Sequence, residues 1–411
     1  MLRIKCYLEE RINNRKVKET FVSTIGKEDQ GKNMASNTEA MTAIGTKSAE
    51  IKEQYKKFIG RKILFILFSL ILIFIIAGIA VTLGSYSLTV TEVYSKIFHG
   101  LFQSEVHSII LHDTYPSIFN KPDVAQEVWV IWEIRLPRIL MGILAGIGLA
   151  IAGTMMQGIL RNPLASPFTL GVSSGAGFGA ALAIILSAGF VAGEYLVVGN
   201  AFFFALIPTF IILGLTRYKR ATPETMILAG IALFYIFSGL MALLMYFSEA
   251  EPAVEAYFWM IGSLGRASWD NLLPASIMLV GCVIPLMWKS WDVNVMGAGD
   301  ERAKSLGVNV ERTRIYIMII ASLLTADIIC FTGCIGFIGL VAPHISRMVI
   351  GGDNRFLIPA SGLFGAVLLL GADTVARTII APVILPVGLV TYLLGGPLFF
   401  YLLARRKREY W

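Results

Sequence analysis

Side chains able to do chemistry are sparse in this sequence. Deep within its apolar runs the carboxylates reduce to Asp327 and Asp373, and the histidines to His344. A proton relay or cation site needs several such groups together, because a lone charge in an apolar medium is costly. An intramembrane enzyme would need a Ser/His or carboxylate pair, and His344 has no evident partner in the sequence. Cys6, Cys282, Cys330 and Cys334 form no CxxC pair and read as small packing residues. His99, His107 and His112 are spaced by eight and five, which does not stack them on one helix face. No metal, cofactor or catalytic residue is therefore expected. One motif mimics nucleotide chemistry: Gly26 to Lys32 reads GKEDQGK, the spacing of a phosphate loop. Asn33 stands where Ser or Thr is needed, and no apolar strand precedes it, so the match is read as chance.

The elements that must position these groups follow from composition. Of 411 residues, 56% are apolar and 15% charged, with a mean hydropathy of +0.70. That excludes disorder and argues against a soluble enzyme, which needs more polar surface. Ten apolar segments approach the ~20 residues of a spanning helix: 63–83, 137–157, 168–190, 196–216, 225–247, 270–288, 315–333, 336–350, 358–376 and 385–404. The runs are continuous and not alternating, so helices are expected in place of a barrel. The expected fold is an all-α polytopic membrane protein with about ten transmembrane helices. Residues 1–62 form a polar tail, 63–405 the membrane domain and 406–411 a short basic tail. Met34 and Met41 are candidate translation starts beside Met1, which a peptide map of the native N-terminus would distinguish.

With both termini cytoplasmic, 29 Lys and Arg fall on the inner side and six on the outer. This inside-positive bias accounts for the net charge of +7, so nucleic acid is not an expected partner. The exceptions are informative. Arg135, Arg138 and Arg377 sit on the outer side at predicted helix ends. Two readings stay open: interfacial anchors with intrachain pairing, such as Asp373 with Arg377 at i,i+4, or a positive landing surface for an acidic partner.

Backbone-breaking motifs mark a second set of candidates. Gly171, Gly175 and Gly179 repeat at helix-packing spacing, with Ser173 and Ser174 beside them as candidates to line a path. The run QGILRNPLASP, from Gln157 through Asn162 and Pro163 to Pro167, breaks a helix sharply. A second break, GFIGLVAPHISR, carries Pro343, His344 and Arg347. Broken backbone at membrane depth is tolerated where protein or a watery cavity covers it. The two breaks form a weak echo of an internal repeat. The inner loop 289–314 holds a short predicted helix, Asp300 to Leu306, capped by Gly307. It reads either as a solvated loop or as a docking surface for a cytoplasmic motor.

Residues 135–179, 259–269 (WMIGSLGRASW), 297–308 (GAGDERAKSLGV), 333–347 and 371–403 together resemble the FecCD-type permeases. These are membrane subunits of ABC importers for iron–siderophores, haem and vitamin B12. The resemblance covers roughly 63–405 in order. It implies the type II ABC importer fold and a pair of permease subunits, with a homodimer expected and a heterodimer left open. It also implies two ATP-binding cassette subunits that hydrolyse ATP, and an extracytoplasmic substrate-binding protein. Arg135, Arg138 and Arg377 would then receive acidic residues of the binding protein. Gly299, Arg302, Ala303, Leu306 and Gly307 would dock on the ATPase. The inner gate would fall at Thr222 to Thr225. Ile384 departs from the pattern, since many members carry Glu there. The competing reading, a secondary transporter driven by an ion gradient, lacks the paired membrane carboxylates it needs.

Overall fold

The computed structural model describes residues 58–84, 88–102, 122–219 and 222–404. The chain divides into two units, Met1–Gly60 and Arg61–Trp411. The expectations for the tail, including GKEDQGK and the start methionines, fall outside the described residues, as do His107, His112 and the tail 406–411.

Every described element is helical, and all ten apolar segments form helices. We number them α1 Phe58–Thr82, α2 Val90–Phe102, α3 Pro122–Trp129, α4 Leu136–Leu160, α5 Val172–Leu186, α6 Leu196–Lys219, α7 Pro223–Phe247, α8 Ala250–Ile261, α9 Trp269–Trp288, α10 Ser290–Met296, α11 Asp300–Ser305, α12 Val310–Thr332, α13 Ile338–Ile350, α14 Asn354–Thr378 and α15 Val387–Ala404. Seven are long and apolar enough to cross a membrane; α5, α13 and α15 are shorter apolar helices.

Local chemistry sets the boundaries. Thr222 accepts the Thr225 N–H and Pro223 fills the first turn of α7, where a missing N–H costs nothing. Ser268, Asn309 and Asp353 cap α9, α12 and α14 in the same way. At the QGILRNPLASP break, Arg161 adopts φ 48°, Asn162 Oδ1 accepts the Leu164 N–H at 2.9 Å, and a 3-10 turn over Phe168–Leu170 precedes α5. The sequence places the start of α4 near residue 137, and the α-helix begins at Leu136; α3 runs into it through a π-helical stretch, Val130–Arg135.

Helices α4 and α12 are the most buried of the seven, and α1, α7 and α9 are peripheral, with large apolar side chains facing outward. α4 is flanked by α14, α12 and α13. The glycines explain how closely they approach. A Cβ on Gly153 would overlap the Gly339 carbonyl of α13, and one on Gly146 would strike Ala366 of α14. At the α5–α6 crossing, Gly175 and Gly179 face the backbone of Phe204 and Asn200. The glycine stripe is thus a packing device.

Candidate functional sites at the two ends of the bundle

One end of the bundle is organised around Asp353 and the other around Asp373, the two ends of α14. At the Asp373 end, Arg138 is nearly fully buried and binds Asp373 bidentately, with Nη2 to Oδ1 at 2.7 Å and Nε to Oδ2 at 3.1 Å. Arg377 Nε lies 3.0 Å from Asp373 Oδ2, the i,i+4 pair named in one of the two sequence readings. Arg377 Nη1 also donates to the Leu83 carbonyl at 3.1 Å. Arg135 Nη1 donates to the carbonyls of Val81 at 2.6 Å and Thr82 at 3.2 Å. Two guanidiniums therefore cap the C-terminus of α1, where carbonyls lack helical partners and the dipole favours cations. All three arginines are buried, at 3–4% exposure, so they lie beneath the surface and do not project from it. The sequence signal for Asp373–Arg377 was the i,i+4 spacing; nothing in it indicated the Arg138 partner, which is 235 residues away.

At the Asp353 end, the loop 289–314 folds into α10 and α11. Gly299 (φ +111°) opens α11 and Gly307 (φ +85°) closes it, both conformations that favour glycine. Ala303 is fully buried against the core. Arg302 is exposed and Leu306 projects with 71% of its surface exposed. The base of this projection is ionic. Asp300 binds Arg314 Nη2 at 3.0 Å and Arg161 Nη2 at 3.1 Å, and Arg314 Nε donates to the Ile159 carbonyl. α11 is thereby fixed to the end of α4 and the start of α12. A cavity of about 790 Å³ opens beside it, lined by Thr216, Met226, Asp300, Lys304, Glu311 and Arg314. Thr222 and Thr225 are exposed at the nearby start of α7.

The two backbone breaks meet between these ends. Ser166 and Phe168 of the first, with Gly336, Phe337, Leu340 and Tyr392, line a cavity of about 170 Å³. Gln157 is buried, its Nε2 3.4 Å from the Leu340 carbonyl. Phe337 holds φ +66° at the start of α13, a strained position for an aromatic residue. Ser173 and Ser174 are buried, the latter donating to the Gly171 carbonyl. Asn162 and Pro163 are half-buried in the turn. Pro343 is buried within α13, His344 stacks edge-on against Phe399 at 6.0 Å, and Arg347 is half-buried one turn later. Asp327 is buried in α12, and its Oδ2 accepts no hydrogen bond from the described residues.

The FecCD transport family model matches residues 69–405. The chain belongs to that family. Its residues are 41% identical over 286 positions to the hemin transport system permease HmuU of Yersinia pestis, covering 69% of this chain and 85% of that protein. They are 40% identical over 297 positions to the cobalamin import system permease BtuC of Halobacterium salinarum, covering 71% and 77%. A solved inward-facing structure of a metal-chelate type ABC transporter aligns with a TM-score of 0.69 at 31% identity, covering 83% of this chain and 99% of that one. The chain is accordingly a multi-pass membrane permease of an ABC importer.

Proposed function

We propose that two copies of this chain form a path for a metal chelate of the haem, cobalamin or iron–siderophore class. ATP hydrolysis in separate cassette subunits drives it, and an extracytoplasmic binding protein supplies it. The observation that carries this reading is the projection at the Asp353 end: an exposed Leu306 on a short helix whose base is fixed by Asp300 to α4 and α12. An apolar residue held rigidly in water is suited to insert into a partner's cleft, and the ionic base passes its displacement to the buried helices. That end is the cytoplasmic one, with both termini on the same side, in keeping with the inside-positive charge distribution. Thr222 and Thr225 stand at the inner gate, and Asn162 and Pro163 at the turn beneath it.

The Asp373 end receives the binding protein. Three buried guanidiniums, two of them on Asp373 and that of Arg135 on the carbonyls ending α1, give that end a fixed positive field, which steers an acidic partner without exposing the side chains themselves. The chain has no chemistry of its own in this scheme; it supplies two states that its partners bias.

The test is Leu306→Ser in the complex reconstituted with its ATPase subunits. Transport is expected to fall at least about tenfold while the permease remains folded, a coupling loss of ~1.4 kcal/mol or more. Transport at the wild-type rate would remove the docking role of Leu306.

A further inference from the structure

Each end of α14 is tied to more than one other helix. At its start, Asp353 Oδ1 accepts from Asn294 Nδ2 of α10 at 2.9 Å. Asn294 Oδ1 in turn accepts the Asn354 N–H at 2.8 Å and Asn354 Nδ2 at 2.9 Å. Arg355 Nη2 closes on Asp353 Oδ2 at 2.6 Å, and its guanidinium lies over the Trp291 ring of α10 at 4.1 Å. Lys62 of α1 lies 3.5 Å from the same carboxylate. Asn294 uses both its donor and its acceptor on α14, so α10 can neither slide nor rotate against it without losing bonds on both sides.

At the far end, Asp373 is gripped by Arg138 of α4, and Arg377 reaches the Leu83 carbonyl just past the end of α1. Between the two, Gly146 and Gly365 bring α4 and α14 into backbone contact. At ~1.5 Å rise per residue, the two acids stand about 30 Å apart on one helix. Pro359 removes one ladder bond in α14, but the helix is continuous from Asn354 to Thr378 and packed along α4, so a displacement at one end is carried towards the other.

We propose that Asp353 is a positioning residue. It locks α10 to α14, so that a displacement of α10 is delivered along α14 to the Asp373–Arg138–Arg377 cluster at the opposite end. The link itself is independent of the proposed function; only the source of the displacement, an ATPase acting on the α10–α11 segment, rests on that reading. Asp300 ties α11 to α4 and α12 at the same end and carries no bond to α14, so the two routes are separable by mutation.

The experiment is hydrogen–deuterium exchange of the full chain in lipid nanodiscs, comparing wild type with Asp353→Asn and Asn294→Ser. Exchange is expected to rise about threefold or more in residues 290–296 and also in residues 376–385, with α6 and α7 unchanged. A rise confined to 290–296 and 350–356 would overturn the proposal. If Asp353→Asn loosens the whole chain, Asn294→Ser decides; whole-chain loosening there too would reduce the cluster to a structural clamp and overturn it. In the complex, Asp353→Asn is expected to keep basal ATP hydrolysis and to lose about fivefold or more of its stimulation by the binding protein. Stimulation retained in the variant counts against the positioning role. Absence of stimulation in the wild type would instead strike the proposed function, and the exchange data would still judge the link.

Discussion

Arg138 and Asp373 illustrate what a buried pair demands of single residues. Removing one partner leaves the other charged in an apolar surrounding. Arg138→Gln is therefore expected to cost about 3–5 kcal/mol, read as a lower thermal midpoint in detergent. Arg138→Gln with Asp373→Asn should cost less than the two single changes added together. An unchanged midpoint in Arg138→Gln would refute the pairing. Asp353 gives a pH prediction. Burial works to raise its carboxyl, but hydrogen bonds from Arg355 and Asn294 overcome this and hold it at about 2. A depressed carboxyl contributes stability that is fully present above its unfolded value of about 4 and is lost as pH falls through the folded value. The midpoint difference between wild type and Asp353→Asn should thus be constant above about pH 5 and close between about pH 4 and 2. A difference that persists at the acid limit would show that the carboxylate charge is not what the cluster uses.

At the scale of elements, helix approach is set by glycine. Gly153→Ala forces a methyl against the Gly339 carbonyl, where only backbone movement can make room. Overpacking of this kind costs about 1–3 kcal/mol. Gly371→Ala on α14 meets no atom within 4 Å and should be neutral or slightly stabilising. Thermal midpoints of the two variants in one detergent check the contrast; equal effects would mean that α4 and α13 do not cross as described. The apolar runs were legible as helices because continuous hydrophobicity at that length has few other solutions in a bilayer. Neither the π-helical entry into α4 nor the meeting of the two breaks around Tyr392 was legible. Both depend on carbonyl partners distant in sequence, such as the bond from Trp269 Nε1 to the Trp132 carbonyl.

For the whole molecule, the proposed docking role makes the buried guanidiniums a fixed field, and steering by such a field is screened by salt. The affinity of the binding protein for the permease should fall steeply as ionic strength rises from about 0.05 to 0.5 M, chiefly through a slower association rate. Salt-independent association would remove the electrostatic role of the Asp373 end. Reversing all three arginines to Glu does not isolate this field, since Arg138→Glu would set two buried carboxylates side by side.

Legible in the residues alone were the class of the protein, its apolar helices, the position of the three arginines at helix ends and the glycines that bound α11. Each is written in local composition and spacing, and a lipid solvent leaves such patterns few alternatives. Helix packing sets what those arginines touch, that Leu306 projects while Ala303 is sealed in, and that α14 links two ionic clusters at opposite ends. Those facts join residues tens to hundreds of positions apart. A side chain's charge is local information; whether it meets a carboxylate, a helix end or water is settled only when the helices pack.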